Sequence, residues 1–211
     1  MLNWAVGSIV PFMLVTIPLV LSPGPDTMLI IRNTLASGKG VGMAAVAGVQ
    51  LGLMAHLMLA LVGISLFVLG FPELYSLLVL LGAVYLTWLG LQSFVQRGRM
   101  KLGVGKQVGW RVSTLSAMLT NLLNPKVLVL FFTLLPGFVA LDAPIRVEAQ
   151  LLLLVTVLIV INSLWQGALV VFCDRLSRWL QSPGVNKMLG RVCGVALLVF
   201  AVLMIYEHSW R

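Results

Sequence analysis

Long stretches of this chain carry almost no polar side chain on any face of a helix. Apolar runs of bilayer length lie at about 4–21, with a continuation towards 36, and at 41–69, 72–95, 112–139, 146–172 and 186–206. A membrane-spanning helix needs roughly 20 such residues, so six spans is the simplest count. The breaks fall on turn signals: Ser37-Gly-Lys-Gly40, Gly70-Phe-Pro72, the stretch 96–111, Asp142-Ala-Pro144 and Ser182-Pro-Gly184. No linker or low-complexity segment separates soluble domains. The pattern therefore predicts an all-α integral membrane protein, with residues 1–211 as one domain. Its halves, about 1–95 and 112–206, are joined by the basic loop 96–111.

Composition agrees with the pattern. The 211 residues are 60% hydrophobic and only 9% charged, where a soluble domain carries about a quarter charged residues. The natural solvent of such a chain is lipid. A net charge of +8 would suggest nucleic acid in a soluble protein, but here the basic residues fall between apolar runs and form no aromatic-interleaved groove. They report orientation instead. Arg32 and Lys39 follow the first run, and Arg97, Arg99, Lys101, Lys106 and Arg111 follow the third. Arg175, Arg178, Lys187 and Arg191 flank the turn after the fifth. The opposite side holds only Arg146 and Arg211, with four of the six acids. The positive-inside rule then places the basic loops in the cytoplasm and both termini outside. Trp110 and Trp179 would mark the inner interface, and Trp4, Tyr206 and Trp210 the outer one. Two cysteines, Cys173 and Cys193, make neither a disulfide framework nor a metal cluster. Both fall near the reducing side, which favours free thiols. A secretory signal peptide is not expected, because the first basic residue is Arg32.

One basic residue escapes this accounting. Lys126 sits inside the fourth run, directly after Pro125, as Asp26 sits directly after Pro25, 100 residues earlier. Each proline–charge pair leads into an apolar stretch, and each opens its own set of three runs. An odd number of spans per half forces the second half to enter the membrane upside down. The expectation is two inverted three-helix repeats, with helices one and four broken at corresponding positions.

Proline removes an amide donor and obstructs the carbonyl four residues earlier. In lipid such backbone is tolerated only where protein or a water-filled cavity covers it. A half-helix starting near Pro25 would point its positive end at the gap, a setting suited to a carboxylate. Asp26 and Lys126 each cost about 2.5–3.5 kcal/mol at a helix centre, which makes both candidates for substrate or proton handling. Two structural alternatives stand beside that reading: an Asp26–Lys126 ion pair between the halves, and Asp26 as N-cap of the following helix. Asn121 and Asn124 lie on one face leading to Lys126. Asn162 and Gln166 read as glue between helices. In the second span, Ala44, Gly48, Gly52 and His56 trace one stripe, with Gln50 nearby. Small residues there allow close helix contact and turn His56 into the bundle. With no second histidine near it, no metal site is expected. Gly190-x-x-x-Gly194 fits a homo-oligomeric face, ordinary packing within the chain being the plainer expectation.

These residues resemble a known family. Ser22-Pro-Gly-Pro-Asp26 and Asn121-Leu-Leu-Asn-Pro-Lys126 are similar to the two signatures of the lysine-exporter (LysE) superfamily. Ala47-Gly-Val-Gln-Leu-Gly52, His56 and the stretch Gly82 to Gly90 resemble its homoserine/threonine-exporter (RhtB) branch. The likeness runs from about residue 4 to 206. It implies a bacterial inner-membrane exporter of amino acids or close derivatives, driven by proton antiport, without cofactor or enzymatic activity. It also implies that Ser22, Pro23, Gly24, Pro25, Asp26, Asn124, Pro125 and Lys126 form the transport site. Asp26 stands where some members have another small polar residue, so a family-wide proton role for it does not follow. Adding Asn121, Gln50 and His56 from the residues themselves completes the expected substrate contacts, with Asp26 as the proton-coupling group. The rivals are a divalent-metal exporter, which would want several carboxylates or thiolates, and an intramembrane enzyme, which would want a nucleophile–base spacing absent here.

Overall fold

Proline and glycine set most of the helix boundaries among the described residues. The computed structural model describes residues 2–70, 106–140, 142–173 and 182–209, together with positions 80, 83, 84, 87, 88, 90, 91 and 175. α1 (Leu2–Leu21) is the first apolar run and keeps Pro11 and Pro18 inside it. The chain leaves α1 at Ser22, whose N–H still donates to the Pro18 carbonyl at 2.9 Å. α2 (Pro25–Ser37) starts with proline at its first position and an extended Gly24 before it. Proline suits that place because the missing N–H would have had no partner within the helix. The two helices meet at 48°.

α2 stops at Gly38, whose φ of 88° lies in the left-handed region that glycine adopts without penalty. α3 (Lys39–Gly70) begins on the next residue and runs for 32 residues. The second half repeats the broken pattern. α4 (Trp110–Leu122) is followed by α5 (Pro125–Val129), again with proline first. α5 continues through a π-helical turn, Leu130–Leu134, into a 3₁₀ turn, Leu135–Phe138. The bend between α4 and this composite run is 51°. α6 (Val147–Val171) and α7 (Pro183–Ser209) follow.

The all-α membrane class read from the sequence stands: among the described residues every element is a helix, and several are apolar enough for a bilayer. Among the described residues, Lys39–Val62 of α3 and the whole of α6 qualify as spans by length and composition. The bent pairs α1–α2 and α4–α5 make four if each crosses once. α7 covers the sixth apolar run. The third, 72–95, lies outside the described residues apart from the isolated positions named above.

The outside of the bundle is apolar and polar side chains are drawn inside, unlike a soluble protein. Leu14, Leu123, Val62 and Leu164 are exposed, whereas Asn33, Ser113, Asn121, Gln150, Asn162 and Gln166 are buried. That is the arrangement lipid demands, since an apolar side chain is at home outside and a polar one must find protein inside. The largest apolar core packs Phe12 and Leu19 of α1, Leu53 and Leu57 of α3, Phe131 and Leu134 of the π turn, and Leu154 and Leu158 of α6. Phe12 meets Phe138 edge-on at 5.3 Å. Away from that core, polar bonds join the helices. Asn33 Nδ2 donates to Ser113 Oγ at 2.9 Å, and that hydroxyl donates on to the Val41 carbonyl at 2.9 Å. Gln150 closes the segment after α5, its Oε1 accepting from Ala140 N–H and its Nε2 donating to the carbonyls of Ala140 and Ile145, all within 2.9 Å.

The closest helix contact is α3 against α4, and the small-residue stripe makes it. A Cβ at Gly48 would strike the backbone carbonyl of Thr114, and one at Gly52 would fall 2.9 Å from the Cβ of Asn121. Gly194 also packs within the chain, its carbonyl 3.1 Å from where a Gly90 Cβ would stand, which is the plainer of the two expectations for that motif. Because Thr114 presents backbone rather than a movable side chain, Gly48→Ala should destabilise the detergent-solubilised protein by about 2 kcal/mol. Gly167→Ala in α6, with nothing within 4 Å of the added carbon, should leave the thermal midpoint unchanged or raise it. Thermal unfolding of both variants beside wild type checks the pair.

Candidate functional site at the two helix breaks

The two breaks face each other. Beginning α2 with proline frees carbonyls at the end of α1, and one of them, on Ser22, accepts from the Lys126 ammonium at 2.7 Å. In the opposite direction, Asn121 at the end of α4 donates its Nδ2 to Asp26 Oδ2 on α2 at 2.8 Å. Each break thus holds a polar group of the other. The second break also caps itself, Asn124 Oδ1 accepting from the Lys126 N–H at 3.1 Å. The first has no side-chain cap, so the N–H groups of Asp26 and Thr27 keep no acceptor within the helix.

That finding corrects one sequence expectation. Asp26 does not N-cap α2; Gly24 occupies the cap position and the carboxylate points to α4 instead. Asp26 is only 8% exposed, and its second oxygen, Oδ1, has no hydrogen-bond partner among the described residues. A buried carboxylate with one of two oxygens unbonded is expensive unless something else approaches it.

Between the breaks lies a partly open hollow, whose empty space is about 450 Å³ when the space at its mouth is counted. Gly24, Asp26 and Thr27 line it from the first break, and Asn121, Asn124 and Lys126 from the second. Leu19, Val20, Leu53, Val127, Leu130 and Leu158 supply apolar wall, and Asn162 and Gln166 of α6 complete it. A carboxylate, an ammonium, four amides and a half-helix start therefore share one small space inside a lipid-facing bundle.

The other sequence candidates fall into place around it. Ser22 contributes its carbonyl, while Pro23, Pro25 and Pro125 shape the breaks without lining the hollow. Gln50 stands one layer back, its Nε2 donating to Gln166 Oε1 at 3.2 Å. His56 is buried, as its stripe predicted, but stacks on Phe131 of the π turn at 5.1 Å with 27° between the rings. It does not line the hollow, and neither ring nitrogen has a hydrogen-bond partner among the described residues. Asn162 and Gln166, assigned from sequence to helix glue, belong to the hollow. Gln166 is glue as well, through Gln50. Their i, i+4 spacing did signal a shared face, but not which space that face would border.

Comparisons with known proteins identify the family of this chain. The family model described as LysE type translocator matches residues 17–208. A homoserine/homoserine lactone efflux protein of Salmonella typhimurium is 29% identical over 200 residues, covering 94% of this chain and 96% of its own. A leucine efflux protein of an Enterobacter species is 26% identical over 194 residues, covering 90% and 91%. An uncharacterized membrane protein of Bacillus subtilis is 27% identical over 205 residues, covering 92% and 97%. No solved structure matches. With both helix breaks and the hollow between them inside the matched range, the chain belongs to the LysE-type translocator family.

Proposed function

We propose that this protein exports small neutral amino acids or close derivatives from the cytoplasm across the bacterial inner membrane, by proton antiport and alternating access. The observation that carries the reading is the convergence of both helix breaks on one hollow bearing a carboxylate and an ammonium. A zwitterion fits such a site. Its carboxylate would approach the Lys126 ammonium and the unspent N–H groups of Asp26 and Thr27, and its ammonium would approach Asp26 Oδ1 and Asn124. The relatives named as efflux proteins for homoserine, its lactone and leucine support this cargo class. A divalent cation would find one carboxylate and no thiolate in the wall, poor ligation for either a hard or a soft ion.

Coupling follows from competition. Asp26 can hold a proton or the substrate's ammonium, and a site that accepts only one at a time exchanges them. The breaks, bent by 48° and 51°, serve as hinges about which one three-helix half rocks against its inverted counterpart. Six spans, a cytoplasmic loop at 96–111 and both termini outside complete the proposed topology.

Proteoliposomes or cells preloaded with an amino-acid mixture test the reading directly. Chain-dependent exit of small neutral amino acids, accelerated when the receiving side is acidic, is the expected result; exit of none of them refutes it. Asp26→Asn should lower export about tenfold to a hundredfold, the range for losing a hydrogen bond to a charged group, and should remove the acceleration by the proton gradient. Wild-type rate and pH dependence in that variant would take Asp26 out of the mechanism. Gly52→Ala, which pushes Asn121 off Asp26, should reduce export severalfold in protein that still folds, as read by efflux rate beside thermal midpoint.

A further inference from the structure

We infer that His56 carries the proton between the outer side of the membrane and Asp26, as a second station of the exchange, and takes no part in holding cargo. The inference deepens the reading of this hollow as a proton-coupled amino-acid site and rests on it. His56 stands one helical turn beyond Gly52 on the same stripe of α3, about 6 Å further along the axis. Asn121 packs against Gly52, and Asn121 in turn holds Asp26. The imidazole is therefore the next side chain of that stripe past the Asp26–Asn121 bond. The Asp26 carboxylate and the Asn121 backbone both act on the charge of its ring. In the proposed topology α3 leaves the cytoplasm at Lys39, so this step leads outwards.

The surroundings give a titratable ring there no other purpose. Leu53 and Leu57, its neighbours on α3, and Phe131, stacked on it, belong to the apolar core that runs on to Phe12, Phe138 and Leu151. A phenyl ring would stack on Phe131 equally well and would bury no polar nitrogen. Both nitrogens of His56 lack a hydrogen-bond partner among the described residues, as do Asp26 Oδ1 and Asn121 Oδ1. Three neighbouring side chains thus keep unspent capacity at one place, a setting that one water can bridge. Histidine changes charge near neutral pH, and ionisable groups inside membranes serve as proton relays. A proton from the outer side converts the ring to imidazolium. The imidazolium then gives its N–H proton to Asp26 Oδ1, directly or across one water, leaving neutral imidazole and a carboxylic acid that no longer holds the cargo's ammonium. Few other charges bear on this step. Lys126 on α5 acts on Asp26, the π turn has no titratable residue, and α4 and α6 carry only Arg111 and Glu148, each in the first turn.

Proteoliposomes separate proton transfer from cargo binding. Wild type, His56→Gln and His56→Phe, with thermal midpoints recorded, are compared in three measurements. These are amino-acid export towards an acidic receiving side, exchange of labelled for unlabelled amino acid at equal pH, and proton movement reported by a trapped pH-sensitive dye. Both variants should lose the acceleration by the gradient and the cargo-driven proton movement, while exchange continues at close to the wild-type rate. Coupled export by His56→Phe at the wild-type rate would make the ring a packing piece and overturn the inference. Loss of exchange together with export in folded variants would overturn it too, because His56 would then act on the cargo. If neither variant folds, isotope-labelled histidine in otherwise unaltered protein decides. The chain has two histidines, and His208→Gln tells their ring signals apart. The His56 ring should titrate between mildly acidic and mildly alkaline pH, with a midpoint that moves in Asp26→Asn. A ring fixed in one protonation state, or a midpoint indifferent to Asp26, refutes the relay. Wild-type export that ignores the gradient would remove the relay and leave export standing, whereas no exit of any amino acid would remove both.

Discussion

A helix interrupted inside a bilayer has no water to repair it, and this structure is organised around that constraint. The prolines at 25 and 125 release backbone polar groups where lipid can satisfy none of them. The repair is mutual. The Lys126 ammonium covers the Ser22 carbonyl exposed by the first break, and Asn121, the last residue but one of α4, holds the Asp26 carboxylate. Two charges that would each oppose insertion on their own become the means by which the two broken helices recognise one another.

The rest of the bundle serves to hold that meeting point. Gly48 and Gly52 bring α3 so near to α4 that Asn121 has little freedom in where to point its amide. The Asn33–Ser113–Val41 chain joins α2, α3 and α4 beyond the break. Gln150 fixes the end of the π-turn run to α6. Each of these is a buried polar bond with its partners in place, the condition under which polar groups rigidify a membrane bundle rather than weaken it. Against that framework the buried side-chain atoms without a partner among the described residues stand out: Asp26 Oδ1, Asn121 Oδ1, Gln50 Oε1, both nitrogens of His56 and Trp165 Nε1. Asp26 and Asn121 line the hollow, which is where a protein that moves a polar molecule would leave hydrogen-bonding capacity unspent.

Much of this was legible in the sequence. Apolar run length and the scarcity of charge established a helical membrane protein, because lipid permits few other solutions for such a chain. The Ser22–Asp26 and Asn121–Lys126 segments located both breaks to the residue, because proline and glycine act on the local backbone wherever they stand. The stripe Ala44, Gly48, Gly52, His56 turned inwards as its spacing required. Where sequence reasoning went astray, it was over direction. Asn162 and Gln166 looked like glue yet line the hollow, Gln50 and His56 were expected at the site yet do not line it, and Asp26, expected at the site with a helix cap as the alternative, lines it without capping α2.

What the chain alone determined, then, was the solvent it lives in, where its helices stop and which costly side chains it buries. Those are properties of short stretches, set by hydrophobicity and by backbone chemistry within a few residues. Which polar group meets which was decided only by the tertiary structure. Asn121 and Asp26 are 95 residues apart, and Gln50 and Gln166 are 116 apart. Their pairing depends on how closely α3 and α4 approach and on the angle at which each broken helix resumes, quantities that no local pattern encodes.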